Sequence, residues 1–153
     1  MSLTGVKTRP GGTFDADREF KDAGLVAENA AATVDDIARV INVGTGAFKA
    51  MMILDVSVLD IAASDEIYDI VVQGSTVAEF ATDTAMVELA SISLGDKAVK
   101  RTDCNKDDTT GRYKILFDNE NNGTYYPYIR VYTVVTGTAA TGINFTAWAA
   151  EIQ

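Results

Sequence analysis

The sequence contains no histidine and only one cysteine, Cys104, among its 153 residues. Without histidine the chain cannot carry Ser–His–Asp or Cys–His catalysis, and it has no imidazole metal ligands. A single cysteine also excludes an internal disulfide and the usual zinc ligand sets. Neither a Walker-type nor a Rossmann-type glycine pattern is present. We therefore expect no metal, no cofactor and no enzymatic activity. A carboxylate-dependent glycan hydrolase is the one enzyme class left open.

Basic residues are also few. The chain has 13 Lys and Arg against 22 Asp and Glu, which gives a formal net charge of −9. An acidic protein repels phosphate backbones and anionic lipid, so we expect neither nucleic acid nor membrane as a partner. Residues 1–12 lack the apolar core of a secretion signal, and no apolar run in the sequence is long enough to span a bilayer.

Two acidic fragments resemble the beginning of an EF-hand calcium loop. Residues 103–107 and 118–123 each place Asp, Glu or Asn at alternate positions, where such a loop has its first ligands. The bidentate glutamate that closes an EF-hand loop is replaced by Lys114 in the first fragment and by Ile129 in the second. Flanking helices are missing as well. We therefore predict polar turns at both places.

Apolar side chains alternate with other residues along much of the chain, most clearly over residues 48–73. This period of two puts each apolar set on one face of a β-strand. A short polar connection at residues 63–65 joins two such runs, so we predict that they form an antiparallel pair. The same reasoning predicts further strands over residues 37–43, 85–94, 111–117, 125–136 and 143–152.

These strands define the expected fold class and its boundaries. Several strands, turns rich in Gly and Asn, and no convincing long helix predict an all-β, antiparallel β-sandwich or barrel. Residues 1–12 are rich in Gly, Thr and Pro, and we predict that they form a flexible N-terminal arm. Residues 13–153 are predicted to form a single domain, and residues 13–33 are expected to be mostly irregular.

A group of tyrosines is the most distinctive local feature. Tyr125, Tyr126, Tyr128 and Tyr132 lie close together in the predicted strand over residues 125–136. Alternating tyrosines can simply cover one face of a sheet. They are also favoured at protein interfaces, because a tyrosine buries a large apolar body and keeps a polar tip. A platform on which sugars stack is the third interpretation.

The C-terminal residues 111–152 resemble the capsid cement (head decoration) proteins of tailed bacteriophages. In that family a short strand with an aromatic residue leads to an Asn-Gly turn. A tyrosine-rich strand of the Tyr-Ile-Arg-Val type follows, and then a Gly-Thr turn and a last apolar strand. The matching residues are Tyr113, Phe117, Asn122, Gly123, Tyr125, Tyr126, Tyr128, Ile129, Arg130, Val131, Val135, Gly137, Ile143, Phe145 and Ala147.

The resemblance implies a jelly-roll-like antiparallel β-sandwich with a structural role on the virion. Such a protein would be made in the host cytoplasm and would bind the outer surface of an icosahedral head as a homotrimer. It would sit at or near three-fold positions and hold neighbouring major capsid protein subunits together. The alternative is a carbohydrate-binding, lectin-like β-sandwich that uses the tyrosines as a platform.

Two sets of contact residues are expected if the resemblance holds. We expect the contact between copies in the trimer to use the tyrosine strand, at Tyr125, Tyr126, Tyr128 and Arg130. We expect the basic residues Lys7, Arg9 and Arg18, in and just after the N-terminal arm, to contact an acidic capsid surface.

Overall fold

The computed structural model describes residues 15–80, 86–96 and 108–152. These residues form an all-β antiparallel sandwich, as predicted, with one short 3-10 turn, Ala16–Arg18, before the first strand. The strands in chain order are β1 (Glu19–Lys21), β2 (Leu25–Val26), β3 (Ala30–Ala31), β4 (Thr33–Val34), β5 (Ile37–Ala38), β6 (Ile41–Asn42), β7 (Lys49–Leu59), β8 (Ile67–Ser75), β9 (Met86–Gly95), β10 (Gly111–Asp118), β11 (Glu120–Asn121), β12 (Thr124–Tyr125), β13 (Tyr128–Thr136) and β14 (Ile143–Glu151).

Two sheets make up the sandwich. The first has the order β1-β14-β7-β10, and β2 also pairs with β14. The second has the order β3-β13-β8-β9, and β6 also pairs with β13. Strands β4 and β5 form one small hairpin, and β11 and β12 form another. The first sheet therefore has β10 at one edge and the short strands β1 and β2 at the other.

The core lies between the sheets, on the faces that the alternation predicted. Inward-facing side chains of β7, β8, β13 and β14 are buried, among them Met52, Leu54, Tyr68, Ile70, Val72, Ile129, Val131, Ile143 and Phe145. Each large apolar side chain contributes roughly 1.5–3 kcal/mol when it is withdrawn from water. The apolar alternation therefore supplies the main driving force for closing the two sheets.

The predicted pairing of residues 48–59 with residues 67–73 is wrong. Strand β7 pairs with β10 and β14 in the first sheet, whereas β8 pairs with β9 and β13 in the second. The connection after Leu59 therefore carries the chain from one sheet to the other. Period-two spacing fixes which face of a strand is buried, but it does not choose the neighbour that completes the hydrogen-bond ladder.

Two predictions for the N-terminal third also need correction. Residues 15–33 are less irregular than predicted, since they contain β1, β2, β3 and the first residue of β4, and Phe20 is fully buried in the core. Residues 37–43 form two separate short strands, β5 and β6, instead of one. Strands β4 and β5 are joined by Asp35 and Asp36, both with positive φ, a two-residue turn typical of tight hairpins.

A β-bulge explains the one break in the alternation of β9. Val72 of β8 pairs with Ala90, but the next residue, Gln73, pairs with Glu88. Leu89 is the extra residue, and it packs against the core beside Ala90. Because the bulge shifts the phase of the strand, Glu88 points to solvent instead of the interior.

Carboxylates fasten the loops at one end of the sandwich. Asp60 Oδ2 accepts from the backbone N–H groups of Ala140, Thr141 and Gly142, at 3.1, 2.8 and 3.4 Å. The Asp65 carboxylate accepts from the backbone N–H and the hydroxyl of Thr138, both at 2.9 Å. The loop between β7 and β8 is thereby held against the loop between β13 and β14.

Candidate functional site

The predicted contact strand, β13, lies in the middle of the second sheet. Ile129, Val131 and Thr133 are buried between the sheets. Tyr128, Arg130 and Tyr132 alternate with them and therefore lie on the outer face of that sheet. The structure thus brings Tyr128 and Arg130, two of the four predicted contact residues, together on one surface.

Arg130 is held by its own chain at the centre of this outer face. Its Nε donates to Gln73 Oε1 at 2.8 Å, across the pair that joins β13 to β8. Its guanidinium carbon lies 4.5 Å from the ring centre of Phe80 and 5.1 Å from that of Tyr132. Both distances fall within the range of cation–π attraction.

Burial between these groups lowers the pKa of Arg130 from its usual value. The side chain nevertheless stays charged, because an arginine does not lose its proton in a protein at ordinary pH. The outer face therefore carries a fixed guanidinium under aromatic cover, with the exposed carboxylate of Glu88 one strand further, opposite Gln73. Such a surface suits a partner that offers polar and π-electron-rich groups.

Phe80 belongs to this cluster, and the sequence did not reveal it. It stands alone between polar residues, yet it is 6% exposed and adopts φ of +50°. Positive φ is uncommon for a bulky aromatic residue and costs of order 1 kcal/mol or more. The contact with Arg130 and the burial of the ring offset that cost. An isolated aromatic residue in a polar stretch was the only signal available.

Tyr125 and Tyr126 do not continue the outer face of β13, because Pro127 interrupts the strand. Pro127 has no N–H group and lies outside the ladder, and its carbonyl accepts from Val43 N–H at 2.8 Å. Tyr126 packs near Gly74, where an added Cβ would lie 3.0 Å from Tyr126 Cβ. The four predicted residues therefore form a broken surface.

The tyrosines differ in accessibility. Tyr125, in the β11–β12 hairpin, is 47% exposed, whereas Tyr113, Tyr126, Tyr128 and Tyr132 are half-buried and Tyr68 is fully buried. Since a sugar-stacking platform requires an open ring face, Tyr125 is the residue on which that alternative chiefly depends.

Of the three basic residues predicted to contact a capsid, Arg18 is the one that the structure describes; Lys7 and Arg9 lie outside the described residues. The Arg18 guanidinium lies 4.7 Å from the ring centre of Phe48, and its Nη2 is 3.7 Å from Glu151 Oε2. Arg18 therefore helps to fix the first turn to β14.

A second cation–aromatic group lies on the outer face of the first sheet. Arg112 of β10 donates to both carboxylate oxygens of Asp55, at 2.7 and 2.8 Å. Its guanidinium also lies 5.2 Å from the ring of Trp148. The hydrogen bonds from Arg112 lower the pKa of Asp55. This bidentate pair links three neighbouring strands, β10, β7 and β14.

The second calcium-like fragment is a hairpin whose carboxylates bind the backbone. Asp118 Oδ1 accepts from Glu120 N–H at 3.0 Å, and Glu120 Oε1 accepts from Gly123 N–H. Asn122 and Gly123 both have positive φ, as expected for the predicted turn. Within the described ranges no group of three or more His, Cys, Asp or Glu could hold a metal ion. Residues 103–107 lie outside those ranges.

No helix in the described part of the chain is long and apolar enough to cross a membrane. Comparison of the whole sequence with protein-family models and with curated proteins found no match.

Proposed function

We propose that this chain is a structural virion protein that binds the outside of an icosahedral phage head as a trimer and cements neighbouring major capsid protein subunits. The observation that carries the proposal is the resemblance of residues 111–152 to phage cement proteins. Each part of that pattern corresponds to a structural element. The aromatic strand is β10, the Asn-Gly turn joins β11 to β12, the tyrosine strand is β13, and the last apolar strand is β14.

The order of the strands supports the jelly-roll part of the proposal. In a jelly roll two Greek keys wind together, so that strands early and late in the chain become neighbours. Here β14 lies between β1 and β7, and β13 lies between β3 and β8. Successive long strands β7 and β8, β9 and β10, and β13 and β14 also lie in different sheets. We infer a jelly-roll connection from this order.

The physical demands on a cement protein fit the surfaces of this chain. Cementing requires contact area, shape complementarity and more than one attachment point, and it does not require catalytic groups. A trimer that docks three weak surfaces at once gains affinity far above that of one surface. The cation–aromatic face around Arg130 is a fixed surface of this kind, since its central side chain is already ordered before any partner arrives.

Binding to DNA-free heads that lack their decoration protein tests the proposal. The purified chain should cosediment with the heads, saturate at a fixed ratio to the major capsid protein, and raise the temperature at which the heads break open. Heads that already carry bound protein at those positions are the control and should take up no more. Failure to saturate, or no cosedimentation at all, would exclude the cement function.

Deleting residues 1–12 tests the predicted capsid contacts. We expect head binding to weaken, because Lys7 and Arg9 are lost, each worth up to roughly 1 kcal/mol if it pairs at a solvent-exposed rim. The double change Lys7→Ala with Arg9→Ala is the milder variant and should show most of the same loss. Unchanged occupancy with both variants would show that the arm does not contact the shell.

The carbohydrate-binding alternative is tested by a glycan array. Binding that disappears in Tyr125→Ala would favour this alternative, because Tyr125 is the most exposed of the tyrosines. An array without signal, together with saturable head binding, would exclude the carbohydrate-binding alternative in favour of the cement function.

A further inference from the structure

Two opposite edges of the sandwich differ in charge. One edge is formed by residues 15–39, in which β1 and β2 pair with β14, β3 pairs with β13, and β4 and β5 pair with each other. That stretch contains seven acidic residues and three basic ones. The acidic residues are Asp15, Asp17, Glu19, Asp22, Glu28, Asp35 and Asp36. The bases are Arg18, Lys21 and Arg39.

All three bases of this acidic edge already have partners on the same chain. Lys21 is 3% exposed and donates through Nζ to the carbonyls of Asp22 and Gly24, at 2.8 and 2.9 Å. Arg39 donates to the carbonyls of Glu19, Ala16 and Asp17. Arg18 is fixed against Phe48 and Glu151. The carboxylates of the edge therefore face solvent with little local compensation.

The acidic edge also contains a groove. It has a volume of about 510 Å³ and is formed by the segments before and after β2 and by β3. Its lining combines small or apolar residues, such as Leu25, Val26 and Ala30, with the carboxylate-bearing residues Asp22 and Asp36. Leu25 is 57% exposed. The groove is thus lined by apolar side chains and by carboxylates, together with Lys21.

The opposite edge of the first sheet is β10, and it has the complementary features. In the described residues β10 pairs with β7 alone, so alternate backbone N–H and C=O groups on its far side face away from the sheet. Leu116 projects from its outer face and is 68% exposed. Lys114, two residues earlier, is also exposed. The other base of β10, Arg112, is already paired with Asp55, so Lys114 is the positive charge that this edge offers to an acidic surface.

We propose that β10 of one copy docks against the acidic edge of a second copy, with Leu116 in the groove and Lys114 beside the carboxylates of Asp22 and Asp36. Strand β10 cannot contact the acidic edge of its own chain, because three strand spacings, roughly 14 Å, separate it from β1 and β2 across the sheet. The partner is a second copy because the exposed Leu116 and Lys114 complement the apolar side chains and the carboxylates that line the groove. Both surfaces lie on the same chain.

A contact between two different surfaces of identical chains is heterologous, and it closes into a ring when the rotation per copy permits. The inference rests on the proposed trimer and identifies the surfaces that would build it. It assigns the contact between copies to the edges of the sandwich and leaves the face around Arg130 free for another partner.

The test uses two variants that each damage one surface. Leu116→Asp and Leu25→Asp replace exposed side chains, so both chains should keep the wild-type fold. Wild-type protein should form an oligomer in light scattering on a sizing column. Each variant alone should run as a 16.4 kDa monomer. It should remain monomeric at concentrations about tenfold or more above the concentration at which the wild-type oligomer dissociates.

An equal mixture of the two variants provides the sharper readout. Leu116→Asp keeps an intact groove and Leu25→Asp keeps an intact β10, so one productive contact remains between them. The mixture should therefore form a one-to-one dimer that cannot grow further. A contact that uses the same surface on both copies, or the tyrosine strand, predicts no such complementation.

Two control variants complete the experiment. Val77→Asp introduces the same charge at another exposed apolar position, and Tyr128→Ala alters the tyrosine strand; both should keep the wild-type mass. The inference is overturned if wild-type protein is a monomer at every concentration, if Leu116→Asp and Leu25→Asp stay oligomeric, or if their mixture stays monomeric. Head cosedimentation of a monomeric wild type would still support the cement function, so the two failures are distinguishable.

Discussion

Phe48 and Asn119 bind each other in both directions at one end of the sandwich. Phe48 N–H donates to Asn119 Oδ1 at 2.7 Å, and Asn119 N–H donates to the Phe48 carbonyl at 3.1 Å. Asn119 Nδ2 also donates to the carbonyls of Gly46 and Tyr126, at 2.9 and 3.1 Å. One fully buried amide therefore joins three loops, the last of which leads into the tyrosine strand.

Replacing Asn119 by Ala should destabilise the protein by about 3 kcal/mol, because it leaves the Phe48 N–H group buried without an acceptor. We expect the thermal midpoint to fall by roughly 10 °C. Asn121→Ala changes an exposed residue of the adjoining hairpin and should have little effect. Equal midpoints for the two variants would contradict this role of Asn119.

The protein should lose stability in acid partly through Asp60. Hydrogen bonds from the backbone of Thr141, and then of Ala62, lower the pKa of Asp60 below its ordinary value of 3.8. A carboxyl with a lowered folded-state pKa contributes stability that is present above pH 3.8 and is lost as the pH falls through the folded-state pKa. Asp60→Asn should therefore flatten the decline in midpoint below about pH 4. A decline as steep as in the wild type would show that other carboxylates dominate.

The loss of stability at alkaline pH should depend on Tyr68. Burial, together with the charges of Asp60 and Glu66, raises the pKa of Tyr68 from 10.0 to about 12. A raised folded-state pKa favours the neutral hydroxyl, so its contribution is fully present below pH 10 and is lost as the pH rises towards 12. Stability should fall across that window, and Tyr68→Phe should make the fall shallower.

The titration of Lys21 changes the stability in the opposite direction and at a lower pH, so its contribution must be distinguished from that of Tyr68. Burial lowers the pKa of Lys21 below 10.5, so stability should rise as the pH increases from its folded-state pKa to 10.5. Measurements between pH 10.5 and 12 therefore report mainly on Tyr68. At pH 7 Tyr68→Phe should cost about 1 kcal/mol, since the hydroxyl donates to the Asp60 carbonyl at 2.8 Å.

Arg130 should be sensitive even to a change that keeps its charge. A lysine ammonium cannot both lie over the Phe80 ring and donate to Gln73 from the same position, because it lacks the planar fork of arginine. We expect Arg130→Lys to cost about 1–2 kcal/mol in denaturant unfolding. Arg112→Lys is the matched comparison in a more exposed cation–aromatic group and should cost less than 1 kcal/mol. The reverse ranking would remove Arg130 as the anchor of the outer face.

The candidate surface could be predicted only in part. The sequence was sufficient to predict that β13 would be a strand rich in tyrosine with Arg130 on one side. It could not reveal Phe80 and Gln73 as the neighbours of Arg130. Gln73 meets Arg130 only because β8 pairs with β13 in one particular register, and Phe80 reaches it only through a turn with positive φ. Both conditions depend on contacts between residues distant in the sequence.

The sequence by itself determined the fold class, the positions of the long strands and, apart from β9 with its bulge, the face that each long strand buries, because these depend on local alternation and on turn residues such as Asn122 and Gly123. The tertiary structure alone decided the strand partners. Residues 48–59 and 67–73 were expected to pair, yet they lie in opposite sheets, since a strand has two edges and its hydrophobic pattern is the same whichever neighbour occupies them. It also decided where the charges gather. The acidic edge and β10 come to lie on opposite sides of the sandwich only once β14 and β7 lie between them.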